Sequence, residues 1–225
     1  MMRSINRSKI GSQKRKLLPE VELEILMPDI ATLKYYEDTY REYDRFSSSI
    51  DMSEQWKSFE SMLPSGGRVL DLGCGTGRDI KHFLQMGFIV EGVEPSLAMA
   101  NYARLKTGVK IFDLAAEQIA FVEEYDGIWA CASLMHMHKH AFFDTLPKIV
   151  KSLKPGGYFY FSLKEGVGEA RNVDGRLFSF YKTDEITDLL SSIASTQIVK
   201  QWVSKDLAGR SETQWLNTII KKSEL

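Results

Sequence analysis

The chain has two cysteines in 225 residues, Cys74 and Cys131, and neither stands in the paired spacing of a metal-binding motif. A disulfide framework is therefore excluded, and a reducing compartment, the cytoplasm, is the expected setting. Long apolar runs are missing as well: no stretch approaches the roughly 20 residues a membrane-spanning helix requires, so no membrane is expected among the partners. An excess of basic residues is also absent, with 29 Lys and Arg against 30 Asp and Glu, which weighs against a dedicated nucleic-acid binder. The start of the chain is the local exception. Residues 1–16 carry Arg3, Arg7, Lys9, Lys14, Arg15 and Lys16 with no acid, among Ser, Asn, Gly and Gln. Such a stretch cannot bury enough apolar surface to fold alone, and reads as a solvated, disordered tail, with an RNA-contacting arm as the alternative. No apolar run follows it, so it is not read as a secretory signal.

What is present is an ordinary globular composition, 44% hydrophobic and 26% charged, in a length that suits one sizeable core and not two large domains. Residues 17–225 read as a single domain, with a helical cap over 17–63 in which Ile30, Leu33, Tyr36 and Tyr40 share a face. The punctuation Leu63-Pro64-Ser65-Gly66-Gly67 opens a core over 64–225. There, short runs rich in branched and aromatic residues predict strands at Arg68–Leu72, Phe88–Glu94, Val109–Asp113, Gly127–Ala132 and Tyr158–Leu163. Helical spacing places Arg78–Met86, Ser96–Lys106 and Ala141–Lys154 between them. Alternation of strand and helix implies a mainly parallel sheet covered on both faces. The last sixty residues break the pattern, with a strand at Arg176–Tyr181, a helix at Asp184–Ile193, and strands at Thr196–Val203 and Thr213–Lys221 that suggest an antiparallel edge pair.

The chemistry concentrates after the first strand. Asp71-Leu72-Gly73-Cys74-Gly75-Thr76-Gly77 sets three alternate glycines on the turn into a helix, where missing side chains let backbone approach a ligand and tolerate positive φ. Asp71 stands at a strand's carboxyl end, where open parallel sheets bind ligands. Glu94 closes the second strand, placed to accept both hydrogen bonds of a ribose diol. A dinucleotide fold spaces its glycines G-x-G-x-x-G; here the third comes one residue sooner, at Gly77.

This loop resembles the signature of the class I S-adenosylmethionine-dependent methyltransferases, and the downstream blocks follow that family's order. Glu94-Pro95-Ser96 resembles the ribose and adenine block, and Ala115-Ala116-Glu117 the segment along the adenine edge. Tyr125 to His136 resembles the fourth strand and its exit, and Leu153-Lys154-Pro155-Gly156-Gly157 the turn into the fifth. One departure is Ala115 where many members have an acid; Glu117 or Asp113 is the substitute. Tyr35-Tyr36, Tyr43, Asp51-Met52-Ser53, Lys164-Glu165-Gly166 and Asp174-Gly175-Arg176 look like a bacterial small-molecule or tellurite-resistance-like subfamily. The resemblance implies a Rossmann-like, doubly wound, mainly parallel seven-stranded sheet with an antiparallel C-terminal edge pair and an N-terminal helical cap. It implies S-adenosyl-L-methionine as cofactor, leaving as S-adenosyl-L-homocysteine. Asp71, Gly73, Cys74, Gly75, Thr76, Gly77, Arg78, Glu94, Pro95, Ser96, Ala116, Glu117, Ala132, Ser133 and Tyr36 are the candidate contacts.

Methyl transfer from a sulfonium is one in-line displacement, so the protein supplies alignment and desolvation, and a base only where the acceptor must lose a proton. His136, just past the fourth strand, is the candidate base or acceptor-orienting residue, with packing at the cleft rim as the alternative. His136, His138 and His140 alternate, but the segment turns into a helix and no cysteine or carboxylate cluster completes a site, so no metal is expected. Tyr36 and Tyr43 share a helical face, as core residues or as a lid over the sulfonium; Trp202 and Trp215 read as packing in the terminal strands. Lys164, Arg171, Arg176 and Arg210 are surface charges or, together, a grip on an anionic acceptor. The expected partner is a small-molecule methyl acceptor, on a monomer or homodimer. An RNA-modifying enzyme and a non-catalytic binding subunit are the rivals. Against the first, Ala132-Ser133-Leu134-Met135 replaces the Asn/Asp-Pro-Pro-aromatic block of base-amino methylation, and Cys131 lacks a preceding proline. Against the second, the glycine loop and ribose acid are intact.

Overall fold

The computed structural model describes residues 27–224, so the basic stretch 1–16 and the first part of the expected cap lie outside the described residues. The cap over the rest of 17–63 is two helices, α1 (Ile30–Ser47) and α2 (Ser53–Glu60). Asp29 caps the first, accepting from the Thr32 N–H at 2.9 Å, and Asp51 opens the second by accepting from the Ser53 N–H at 3.0 Å.

The core then alternates as expected: β1 (Arg68–Leu72), α3 (Arg78–Gln85), β2 (Ile89–Val93), α4 (Leu97–Thr107), β3 (Ile111–Phe112), β4 (Tyr125–Ala130), α5 (Lys139–Ser152) and β5 (Leu153–Glu165). These five strands are parallel, in the order β3-β2-β1-β4-β5. Beyond them come β6 (Glu169–Arg171), β7 (Leu177–Tyr181), α6 (Thr183–Ser191), β8 (Thr196–Lys205) and β9 (Gln214–Lys222). The doubly wound architecture and the antiparallel pair β8–β9 match expectation. The sheet has nine strands and not seven, because a short hairpin, β6–β7, joins it and β9 lies antiparallel along β5. At its carboxyl end β5 is thus flanked on both sides: Lys164 pairs with Phe180 of β7 and with Trp215 of β9.

Alternation along the central strands explains the two-faced core. Leu70, Ile128, Phe159, Phe161 and Ile220 pack with Phe142 and Ile149 of α5; Val69, Trp129, Tyr160 and Ile219 pack on the other face with Phe59 of α2 and Ile80 and Phe83 of α3. Both clusters leave the carboxyl ends of β1, β2, β4 and β5 open beneath α1, where an open parallel sheet binds its ligands.

Candidate cofactor and acceptor clefts

The three loop glycines all have positive φ, at 78°, 53° and 84°, but for different neighbours. A Cβ on Gly73 would lie 2.3 Å from Ser133 Cβ, and one on Gly77 3.0 Å from Thr107 Cγ2, so these two are small because other parts of the chain press against them. A Cβ on Gly75 would meet only Tyr43 Cε1 at 3.6 Å and Met99 Sδ at 3.9 Å. Gly75 therefore presents bare backbone to a cleft lined also by Gly73, Leu33, Tyr36, Met99 and the residues described next.

Glu94 anchors this cleft. Its carboxylate accepts from the Gly75 N–H and the Ser96 N–H, each at 2.9 Å, and is 6% exposed. Burial outweighs these two bonds and pushes its carboxyl up to about 7. Each carboxylate oxygen keeps acceptor capacity for a ligand hydroxyl. Pro95, Ala115, Ala116 and Glu117 continue the wall. Glu117 is the acid that faces the cleft, its carboxyl raised by burial, whereas Asp113 is outside it and pairs with Arg104.

Asp71, Cys74, Thr76, Gly77, Arg78 and Ser96, read as cofactor contacts, do not line this cleft. Asp71 is buried beneath the loop, its carboxyl raised by burial and by nearby Asp79, with Oδ2 unpartnered. Ser96 caps α4, accepting from the Met99 N–H at 3.2 Å, while its hydroxyl donates to Glu37 of α1. Arg78 turns away to clamp Asp79 through Nε and Nη2 at 2.8 and 2.7 Å.

At the exit of β4, Ala132 adopts φ +54°, a left-handed conformation costly for a side-chain-bearing residue, and its N–H donates to Ser162 Oγ at 2.9 Å. Ala132, Ser133 and His136 line the cleft. His136 is occupied at both nitrogens: Nδ1–H donates to the Leu177 carbonyl at 2.7 Å, which leaves Nε2 to accept from the Tyr36 hydroxyl at 2.8 Å. Burial pulls its pKa down to about 4, so it is neutral. It faces the cleft as expected, but it holds Tyr36 in place and has no free lone pair for an acceptor. His138 pairs instead with Glu169 at 2.9 Å and stacks on His140.

A second cleft opens on the far side of Tyr36. Tyr35, Tyr43, Phe46, Gln55, Tyr160, Phe178 and Trp215 supply its walls, with Arg78, Arg176 and Arg210 among them. The two clefts share Tyr36, Tyr43, Cys131 and Ala132. At this neck Cys131 receives a contact from Arg78 Nη2 at 3.5 Å, and burial pushes its thiol up to about 12, which keeps it protonated.

A family described as a methyltransferase domain matches residues 69–157, the segment that holds the glycine loop, Glu94, Cys131 and Ala132 of the neck and the start of β5, where the expected turn Leu153–Gly157 is already strand. Over that segment the chain resembles a methyltransferase domain. The ubiquinone biosynthesis O-methyltransferase of Burkholderia vietnamiensis is 30% identical over 133 residues, covering 56% of this chain and 54% of that protein. The chain thus spans about half the length of the curated relatives it matches. Among solved structures, the Burkholderia thailandensis 1,6-didemethyltoxoflavin-N1-methyltransferase, with bound 1,6-didemethyltoxoflavin and S-adenosylhomocysteine, superposes with a TM-score of 0.73 at 21% identity, over 96% of this chain and 98% of that one. The [4+2]-cyclase SpnF superposes at 0.67 and 15% identity, over 88% and 97%. At such identities the likeness establishes the fold.

Several residues of the core and its cap had no local signal in the sequence. Glu37 accepts from the Ala98 N–H at 3.1 Å and from Ser96, holding α1 to the start of α4 across some sixty residues of chain. Asp79 collects Trp56 Nε1 and Trp129 Nε1, each at 2.9 Å, besides Arg78. Trp215, read as packing, lines the second cleft and donates to Asp206 at 2.8 Å. Of the four cations read as a possible anion grip, Arg171 is apart, paired with Asp29, while Arg176 and Arg210 line the second cleft. Among the described residues no group of three or more His, Cys, Asp or Glu is placed to hold a metal, and no helix is long and apolar enough to cross a membrane.

Proposed function

We propose that this chain is an S-adenosylmethionine-dependent methyltransferase acting on a small-molecule acceptor. The observation that carries the reading is the pair of clefts that meet at Tyr36, Tyr43, Cys131 and Ala132 over the carboxyl ends of the parallel strands. One cleft can hold the donor, the other the acceptor, and a shared neck is what in-line displacement needs. The residues of the first fit the cofactor: Glu94 has acceptor capacity for ribose hydroxyls, Glu117 for an amino group, and Gly75 leaves space where any side chain would intrude. When bound, S-adenosylmethionine supplies a methyl group and its own leaving group.

The chain's own part is alignment. His136 and Arg176 hold the Tyr36 hydroxyl, by 2.8 and 3.2 Å bonds, against the neck. Burial keeps Tyr36 and Tyr43 protonated, Cys131 is protonated, and His136 is engaged at both nitrogens. The neck offers no free base, so the acceptor atom is one that is nucleophilic without losing a proton to these side chains. Both clefts are built from one chain, so neither a second copy nor nucleic acid is required, and a cytoplasmic setting suits the free thiols. The SpnF likeness warns that this fold also serves other chemistry.

Calorimetric titration with S-adenosylhomocysteine tests the reading. The wild-type chain is expected to bind it saturably and, at a hundred times Kd, to gain about 2.7 kcal/mol of stability. Gly75→Arg, which pushes a long side chain into the cleft, is expected to stay folded by circular dichroism and to lose binding. A folded wild type that binds neither S-adenosylhomocysteine nor S-adenosylmethionine overturns the proposal and favours a non-catalytic role.

A further inference from the structure

The inner face of α2 carries a polar residue where packing asks for an apolar one. Met52 at the helix start, Gln55 and Phe59 fall three and four residues apart, so they share that face, and all three are buried. Phe59 lies against β4, where a Cβ on Gly127 would meet its Cζ at 2.8 Å. Met52 and Phe59 both belong to the apolar cluster on this side of the sheet. Gln55, between them, is 3% exposed and lines the second cleft together with Cys131, Tyr160 and Ser162. Its Oε1 has no hydrogen-bond partner among the described residues. Asp71 Oδ2, Thr76 Oγ1 and the Tyr181 hydroxyl share that condition, but none of those residues lines either cleft. An unpartnered buried amide destabilises the fold relative to an apolar side chain of similar shape, so packing does not explain its place on this stripe. A guest in the cleft that donates to Oε1 does.

The charges of the cleft limit what that guest is. Arg78 is held by Asp79 at 2.7 Å, Arg176 by Asp174 at 2.8 Å and Arg210 by Asp206 at 2.6 Å, while Glu42 pairs with Arg45 at 3.1 Å. Lys205, the remaining charged residue of the wall, is exposed to solvent. A charged guest would lose its hydration and find no buried counter-charge free to replace it, a cost that a neutral guest avoids. Rings of Tyr36, Tyr43, Tyr160, Phe178 and Trp215 stand along the walls and offer apolar faces to a planar molecule.

We propose that the acceptor is a neutral, planar nitrogen heterocycle with a lactam edge, an N–H beside a carbonyl, and that the Gln55 carboxamide recognises that edge. Oε1 accepts from the ring N–H, and Nε2 of the same amide donates to the ring carbonyl. The inference rests on the methyltransferase reading of the two clefts and gives it a substrate class. It also agrees with the absence of a free base at the neck, since a ring nitrogen with an in-plane lone pair elsewhere in such a molecule is nucleophilic without help. Gln55 is a specificity residue here and has no part in the transfer itself.

The test uses the full chain saturated with S-adenosylhomocysteine, titrated with 2-quinolinone, a planar lactam, and with N-methyl-2-quinolinone, in which the donor is blocked. The wild type is expected to bind the free lactam about tenfold more tightly, the difference made by one hydrogen bond whose loss leaves a buried acceptor unpartnered. Gln55→Leu, which strands no partner group, is expected to stay folded by circular dichroism, to bind S-adenosylhomocysteine as the wild type does and to lose the preference. Should that variant not fold, Gln55→Met, of the same length, takes its place. Equal affinity of the wild type for the two probes, no binding of the free lactam at millimolar concentration, or a preference that survives removal of the Gln55 amide each overturns the proposal. Failure of S-adenosylhomocysteine itself to bind the wild type would instead remove the reading beneath it, and the first titration in the series reports that separately.

Discussion

Glu94 carries the strongest single consequence at the scale of one residue. Its folded pKa is about 7 against an ordinary 4.5, because burial costs the charged form more than two backbone N–H bonds return. Between those values the unfolded chain has released the proton and the folded chain has kept it. The contribution of this group to stability is therefore highest below about 4.5 and falls as pH rises towards 7. Ribose hydroxyls donate hydrogen bonds and favour the ionised form, so binding must expel the proton. S-adenosylhomocysteine affinity is expected to weaken as pH falls below 7, by up to about tenfold per unit. Calorimetry at pH 6.5 in buffers of different ionisation enthalpy should register the released proton, and Glu94→Gln should abolish both effects. An affinity that does not change with pH would mean that the carboxylate is already ionised before binding. The position of Glu94 was legible in the sequence because motif spacing and a strand end both pointed to it. Arg78 lines the second cleft and not the first, since proximity to the loop says nothing of its adjacent partner Asp79. Glu37 was invisible, because its contacts join helices some sixty residues apart.

Among the secondary-structure elements, Asp79 is the knot that ties three together. It sits on α3, takes the indole N–H of Trp56 from α2 and of Trp129 from β4, and is clamped by Arg78. Those bonds hold its carboxyl below the usual range although it is buried, and the same charge helps to raise Asp71. Asp79→Asn leaves the Arg78 guanidinium buried with no counter-charge and is expected to cost about 3–5 kcal/mol in urea unfolding. A loss under about 1 kcal/mol would show that water or Cys131 can take over the guanidinium. The parallel strands were readable from their apolar runs because burial on both faces leaves little room for polar residues. The hairpin β6–β7 was only half readable: Glu169-Ala170-Arg171 is exposed and carries no apolar pattern, and its pairing depends on β7. That hairpin matters out of proportion to its size, since it brings Arg176 and Phe178 to the end of β5 and so creates the charged end of the second cleft.

Across the whole molecule, α1 is the element both clefts share, and apolar burial holds it little. Of its 18 residues only Thr32 and Ser47 are buried. Its ties are polar: Asp29 to Arg171, Thr32 Oγ1 accepting from the Leu177 N–H at 2.9 Å, Glu37 to the start of α4, and Asp44 to Lys106 and Tyr102. Ion pairs at the surface are each worth about 0–1 kcal/mol, whereas β1 and β4 are locked in the middle of the sheet. Opening of α1 should therefore need far less free energy than unfolding of the core. Opening would also uncover Tyr36, Tyr43 and the neck, giving ligands an entry to both clefts. Hydrogen exchange of the apo chain is expected to find the amides of residues 34–47 exchanging well ahead of those in β1 and β4. If S-adenosylhomocysteine binds only the closed arrangement, a concentration of a hundred times Kd should slow those amides by about a hundredfold, because each opening must first release the ligand. Exchange in α1 as slow as in β4, and unchanged by ligand, would make the helix part of the global folding unit and require another route into the clefts. A selective slowing confined to α1 would identify it as the moving cover, and would explain why the residues that line the neck from above are held by hydrogen bonds that can reform and not by a packed core.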